Sequence, residues 1–405
     1  MIKIVVLVFM LAVSMLSVNA TVDAAKSFTD VTGHWGGVSI EKAVGAGYVD
    51  GYADGTFRPD ALITRAEFIK LAVHAMGFET TAEQGHEWYQ SYLSAAEAND
   101  LSDKGQFDNL DQPITRLEMA RIAVRSTGEK TTEENKWMYL ATSKGIITGM
   151  DNQGTLGEDQ PTTRAQAVKV IERVLALKAG EKLPSDQYAK YAISSAEIAW
   201  HKTNVYTMAP EYFGWGKDHN MPFQLDKLRY DGPNGYSEVE KYIIVDMGDP
   251  EDPNRKLIPE DMTWDKQLNK TYHYTKDVPA NAYAFLSFNH FVVDLAKDAD
   301  PFRFSHLTVL PFDGIIDNID GNGHLLNVTS YAPYDSARQG LLWGAVKLGA
   351  GHHDVRIVTG QLVPKGSGGV NGAGFVVRRA AAQELGEHGS TDIYVSQVDH
   401  GLMGG

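Results

Sequence analysis

Three arginines occupy one recurring place in the chain. Thr64-Arg65-Ala66-Glu67 returns as Thr115-Arg116-Leu117-Glu118 and again as Thr163-Arg164-Ala165-Gln166, with the arginines 51 and 48 residues apart. A threonine followed three residues later by Glu or Gln is a capping box. The hydroxyl accepts from the third backbone N–H, and the longer side chain reaches back to the N–H of the cap residue. Each arginine therefore falls at the first helical position, where free backbone N–H groups and the positive end of the helix dipole are expected. A guanidinium there suits a carboxylate, because its fork can make two parallel hydrogen bonds. One arginine after a cap is usually just a solvated charge; three at equivalent positions favour a binding role for at least one of them. Trp35, Trp88 and Trp137 precede the arginines by 30, 28 and 27 residues. They offer flat faces for sugar rings or, equally, core residues that close each unit.

The elements that position these residues repeat with them. Between tryptophan and arginine lies a turn-rich stretch, clearest as Gly51-Tyr52-Ala53-Asp54-Gly55-Thr56-Phe57-Arg58-Pro59 and weaker around Asp103-Lys104-Gly105 and Asp151-Asn152-Gln153-Gly154. Each unit reads as helix, loop, helix. The second helix carries an apolar stripe: Phe68, Ile69, Ala72, Val73 and Met76; then Met119, Ile122 and Ala123; then Val168, Ile171 and Leu175. One such hairpin cannot bury its own apolar face, so the three must share a core.

These motifs resemble the S-layer homology family over roughly residues 28–183. Phe28-Thr29-Asp30-Val31 with His34-Trp35, the Gly-Tyr-x-Asp-Gly-x-Phe loop and Ile63-Thr64-Arg65-Ala66-Glu67 carry the first repeat. The second keeps Trp88-Tyr89 and Ile114 to Glu118 without the loop, and the third has glutamine for the usual glutamate. The resemblance implies an all-α, pseudo-threefold bundle of repeats at 26–78, 79–128 and 129–184. It further implies binding of secondary cell-wall polysaccharide in grooves between repeats, at a pyruvate-ketal-bearing amino sugar. On that footing the carbohydrate contacts are Arg65, Arg116, Arg164, Trp35, Trp88 and Trp137, together with Asp30 and Gly55 of the first repeat.

Composition narrows the rest. The chain has 405 residues, 37 basic against 52 acidic side chains, a net charge of −15 and no cysteine. The charge disfavours nucleic acid and anionic lipid as partners. The missing cysteines exclude disulfides, thiolate metal sites and thiol nucleophiles. Residues 1–20 read as a signal peptide, with a short positive start, an apolar run from Ile4 to Val18 and small residues at Val18 and Ala20. The expectation is an exported protein of a Gram-positive cell surface, free of the membrane after cleavage.

Beyond a polar linker at 178–187 the period changes. Runs such as 239–245, 283–288, 306–310, 325–331, 355–358 and 393–395 alternate like strands between glycine-rich turns. Residues 188–405 are therefore expected to be a mainly-β, sandwich-like domain. His352-His353-Asp354 lacks metal-ligand spacing. The stretch 317–323 reads as a hairpin turn in preference to a calcium loop. No nucleophile elbow or phosphate loop is present. No catalytic residue, metal or cofactor is assigned. The favoured role for this half is non-catalytic display, assembly or adhesion, with self-association open. The alternative is a wall-tethered hydrolase of polysaccharide or peptide. The two halves are expected to share few core contacts.

Overall fold

The computed structural model describes residues 28–81, 87–184, 186–213, 223–268, 271–311, 325, 345–366 and 375–395. The apolar leader, the 317–323 turn and most of the 325–331 run lie outside the described residues.

Helices come first and sheets second. The repeats supply α1 (Gly37–Gly45), α2 (Arg65–Ala75), α3 (Gln90–Ala98), α4 (Arg116–Ser126), α5 (Lys136–Ser143) and α6 (Arg164–Lys178). Capping boxes open α2, α4 and α6 at Thr64, Thr115 and Thr163, with both reciprocal bonds formed in each. A cap of this kind contributes about 1 kcal/mol. One cluster gathers all three apolar stripes, from Phe68, Ile69 and Val73 through Ile122 and Ala123 to Val168 and Ile171.

Short backbone links tie each repeat to the next in a closed ring. Ile63 N–H donates to Thr162 O, Thr162 N–H to Ile114 O, and Ile114 N–H to Ile63 O, each at 3.0 Å. The helix starts follow suit, with Arg65, Arg116 and Arg164 N–H on Gln112, Gln160 and Ala61 O at 2.9–3.0 Å. The next N–H groups, of Ala66, Leu117 and Ala165, donate to Leu110, Glu158 and Pro59 O. These N-termini therefore have no spare backbone donors in their first turn. That corrects the expectation of free N–H groups there, because the chain's own loops take the place of a ligand.

A helix, not a strand, opens the second half. Asp186 caps α7 (Gln187–His201), which is followed by α8 (Val205–Met208) and α9 (Pro210–Phe213). Helix α7 packs on α5 and belongs to both halves. Ala192 and Ala196 are buried in the repeat core, while Tyr191 joins the core of the sheets. Trp200 lies tilted against Tyr139 at 4.8 Å between ring centres and donates to Glu133 at 2.7 Å. The few-contacts expectation across the linker is thereby corrected. A fragment covering 25–201 should unfold at higher denaturant than one covering 25–183, by about 2 kcal/mol from the apolar area that α7 covers. Equal midpoints by circular dichroism would show that α7 does not stabilise the repeats.

The sheets use eleven strands among the described residues: β1 (Arg229–Gly232), β2 (Gly235–Asp246), β3 (Trp264–Leu268), β4 (Thr271–Thr275), β5 (Ala282–Leu295), β6 (Ala299–Arg303), β7 (Leu307–Pro311), β8 (Ala345–Leu348), β9 (Gly351–Pro364), β10 (Phe375–Arg379) and β11 (Thr391–Val395). A four-stranded sheet runs β1-β2-β5-β9 and a three-stranded sheet runs β11-β10-β7; β3-β4 and β6-β8 form pairs. Val239, Ile244 and Phe285 of the larger sheet share a core with Val309, Val377 and Ile393 of the smaller. Inside, Arg379 forms an ion pair with Glu387 and donates to Ser305 Oγ at 2.7 Å and Lys227 O at 2.7 Å. A charge so placed is tolerated because every part of the fork is bonded.

Candidate functional site: grooves between repeats

Each motif arginine reaches out of its own repeat into the loop of the following one. Arg116 donates from Nε to Leu156 O and from Nη2 to Thr148 O, both at 2.8 Å. Arg164 donates from Nε to Phe57 O at 3.0 Å and from Nη2 to Asp50 O at 3.1 Å. Arg65 donates from Nη1 to Asn109 O at 2.9 Å, but its Nε and Nη2 form a two-point pair with Glu118 at 3.1 and 2.7 Å. Sequence spacing made the three equivalent; their partners make them different.

Two grooves result. The first, about 270 Å³, is lined by Trp35, Arg116, Met119, Thr148, Gln166, Lys169 and Arg173 among others. Trp35 is 62% exposed at its edge. No carboxylate side chain lines it. Arg173 donates to Ile146 O at 3.1 Å, and Lys169 is held by Glu172 at 2.7 Å. Burial pushes both guanidinium groups, of Arg116 and Arg173, below the ordinary arginine range. A cation so desolvated gains from an anion that enters beside it.

The second groove, about 240 Å³, holds Trp88, Arg164, Lys70, His74, Asp50 and Glu67. Trp88 is 52% exposed. Here Glu67 stands 3.8 Å from Arg164, so positive and negative groups are mixed. Tyr52 and Phe57 lie against the Arg164 guanidinium at 5.0 and 4.7 Å, a cation–π setting.

The equivalent positions around Arg65 are filled from within. Arg125 pairs with Asp103, Arg121 with Glu134 and Arg65 with Glu118. Trp137 is 2% exposed under Arg125 at 5.2 Å, so its expected role as a sugar platform is corrected: it is a core residue. Asp30 is likewise directed elsewhere, accepting from Phe57 and Arg58 N–H at 2.8 and 2.7 Å, and it lines neither groove. Gly55 sits exposed in the adjoining turn at φ +80°, a conformation that favours glycine.

Lys169 and Arg173 were not singled out from sequence. The signal was present: basic residues stand five and nine positions after every motif arginine, as Lys70 and His74, Arg121 and Arg125, Lys169 and Arg173. In the β half, His352 bonds to Asp294 and His353 to Gly349 O. Among the described residues no group of three or more His, Asp or Glu could hold a metal, and no helix is long and apolar enough to cross a membrane.

Known proteins share parts of this chain. The profile of the S-layer homology domain matches residues 27–69. A surface layer protein of Brevibacillus choshinensis is 26% identical over 163 residues, which is 36% of this chain and 14% of that protein. A cellulosome-anchoring protein of Acetivibrio thermocellus is 47% identical over 49 residues, 12% of this chain and 11% of that protein. An amylopullulanase of Thermoanaerobacterium thermosulfurigenes is 25% identical over 177 residues, 37% and 10% of the two chains. The chain thus spans a small fraction of the length of each of these relatives.

Proposed function

We propose, from the premise that the chain carries an S-layer homology domain at residues 27–69, that its helical half anchors an exported surface protein to the bacterial cell wall without a covalent link. The ligand in this reading is an anionic wall polysaccharide, with a pyruvate-ketal amino sugar as the bound end. The observation that carries it is the groove of Trp35, Arg116, Lys169 and Arg173, with three cations, an exposed indole and no lining carboxylate. The wall location is supported by relatives named as a surface layer protein and a cellulosome-anchoring protein. The closed ring of inter-repeat hydrogen bonds supports a pseudo-threefold bundle, and the core shared by two sheets supports a sandwich-like second half. Arg164 and Trp88 supply a second groove of mixed charge.

The test is retention of the full chain on purified walls before and after mild acid removal of the ketal. Binding should fall about tenfold or more on stripped walls, the loss of a charge-assisted contact. Trp35→Ala should weaken it several-fold on native walls. Equal retention on native and stripped walls would rule out the carboxylate as the recognised group.

The β half is read as a non-catalytic domain for display, assembly or adhesion. An amylopullulanase among the relatives motivates the hydrolase alternative. Incubation of the full chain with starch and wall glycans should release no reducing ends; sustained release would establish the alternative.

A further inference from the structure

We propose that the cleft along helix α7, between the repeats and the sheets, is a second carbohydrate site, built for a neutral oligosaccharide. It lies outside the grooves between repeats and does not depend on the anion reading above.

The cleft has a volume of about 610 Å³, more than twice that of either groove between repeats. Cavities of that size at the junction of two domains are typical of small-molecule sites. Its floor is one face of α7. Asp186, Lys190 and Ile193 line it at helical spacing, and Glu197, one turn further on, holds the N–H groups of Tyr206 and Thr207 at its far end. From Asp186 to Glu197 the helix climbs about 16 Å at 1.5 Å per residue, enough for a short oligosaccharide. Tyr139 of α5 belongs to the third repeat and Asp249 follows β2, so each half supplies one wall.

The polar atoms are held in place by the protein itself. Asp249 accepts from Gln187 Nε2 at 3.0 Å, from the Tyr191 hydroxyl and from Glu251 N–H at 3.0 Å. A carboxylate offers about four lone-pair sites, so one more donor can be received. Asp186 is fixed as the cap of α7, accepting from Ala189 N–H at 2.8 Å. The Thr207 hydroxyl donates to Glu197, which leaves its oxygen to act as an acceptor. The complement of such fixed acceptors is a molecule rich in hydroxyl donors. Lys190, half-buried and without an ion pair among the described residues, supplies a donor in return. Tyr139, Tyr206 and Ile193 add apolar surface for the C–H face of a sugar ring.

Two rival ligands fit less well. An anion would meet two carboxylates against one ammonium, the reverse of the Trp35 groove. An extended peptide needs a strand edge to pair with, and the cleft is lined by helices and a loop.

The test is calorimetric titration of the full chain with three neutral trisaccharides: cellotriose, maltotriose and triacetylchitotriose. At least one should bind, and Arg116→Met should bind it like the parent, which separates this site from the proposed anion site. Lys190→Ala should keep the parent melting curve and weaken binding about tenfold, the loss of one hydrogen bond from a charged donor. Ile193→Trp should abolish binding by filling the floor of the cleft. No heat with any of the three sugars would overturn the proposal, as would parent-like affinity in Lys190→Ala or in a folded Ile193→Trp. Loss of sugar binding in Arg116→Met alone would also overturn it, by moving the sugar to the Trp35 groove. Equal retention on native and ketal-stripped walls would sink only the anion reading, since sugar binding in the cleft would persist.

Discussion

Replacing Arg116 by methionine should abolish carboxylate-dependent wall binding, while the same change at Arg65 should leave it intact. Both variants should lose stability. Arg116→Met strips two carbonyls, Leu156 O and Thr148 O, of a charged donor in a buried setting. At about 1.5–3 kcal/mol for a bond to a charged group, the cost is about 3 kcal/mol or more. Arg65→Met leaves the Glu118 carboxylate, only partly exposed, without its cation, and costs about 2 kcal/mol. Stability alone therefore does not separate them. Binding does, because Arg116 faces an open groove and Arg65 is already engaged. The measurement is titration with carboxylated sugar at a temperature where denaturant curves show both variants folded. Expected is a loss of about 100-fold or more for Arg116→Met, equivalent to about 3 kcal/mol, against less than about threefold for Arg65→Met. The reverse order would mean that the Glu118 pair opens to ligand and that the internal acid is a placeholder.

The helical half was legible because its signals are local and repeated. Thr64, Thr115 and Thr163 fixed three helix starts through a motif whose geometry spans only four residues. The apolar stripes behind them identified the shared core. What the motif could not disclose was the ring closure, in which the carbonyls of Gln112, Gln160 and Ala61 satisfy helix N-termini from another repeat. That pairing depends on tertiary placement of loops whose sequences differ. For the same reason Trp35 and Trp137 read alike, yet one is 62% and the other 2% exposed. Trp137 lies within α5 beneath Arg125, whereas Trp35 precedes α1, and Arg125 comes to Trp137 only through the fold.

The second half was legible strand by strand. Alternation at 239–245, 283–288 and 355–358 falls within β2, β5 and β9, which are hydrogen-bonded neighbours. Helix α7 escaped notice because its stretch was read together with the strands that follow. Its signals were nonetheless ordinary: Asp186 as a cap and Ala189, Ala192 and Ala196 on one buried side. The buried pair of Arg379, at the end of β10, and Glu387, in the loop after it, carries no periodic signal at all, since charged residues ordinarily face water.

Helix α7 also holds a buried carboxyl with a large expected pH effect. Glu197 is fully buried and accepts from Tyr206 N–H at 3.0 Å, Thr207 N–H at 2.9 Å and the Thr207 hydroxyl. Burial pushes its carboxyl up to about 7 from an ordinary 4.5, against the pull of those three donors. Between these values the folded state holds a proton that the unfolded state has released, so Glu197 makes stability fall as pH rises through that window. The amount is about 3 kcal/mol, at 1.36 kcal/mol per unit. His201 and His306 act in the opposite sense. Burial pulls each down to about 4 from 6.5, so they contribute rising stability between those values. The parent's own profile therefore mixes both signs, and the readout has to be a difference. Glu197→Gln cannot titrate; its stability relative to the parent should rise by about 3 kcal/mol between pH 4.5 and 7, on top of any constant offset from the amide. Glu172, held down to about 2 by its lysines and Ser39, titrates below this window and drops out. Because α7 lies in both cores, the gain should appear alike in helical ellipticity and in the exchange protection of the β2 and β5 amides of the β half. A difference flat to within about 1 kcal/mol across the window would show that Glu197 ionises in the folded state as readily as in the unfolded chain. A gain confined to one probe would show that α7 does not couple the two halves.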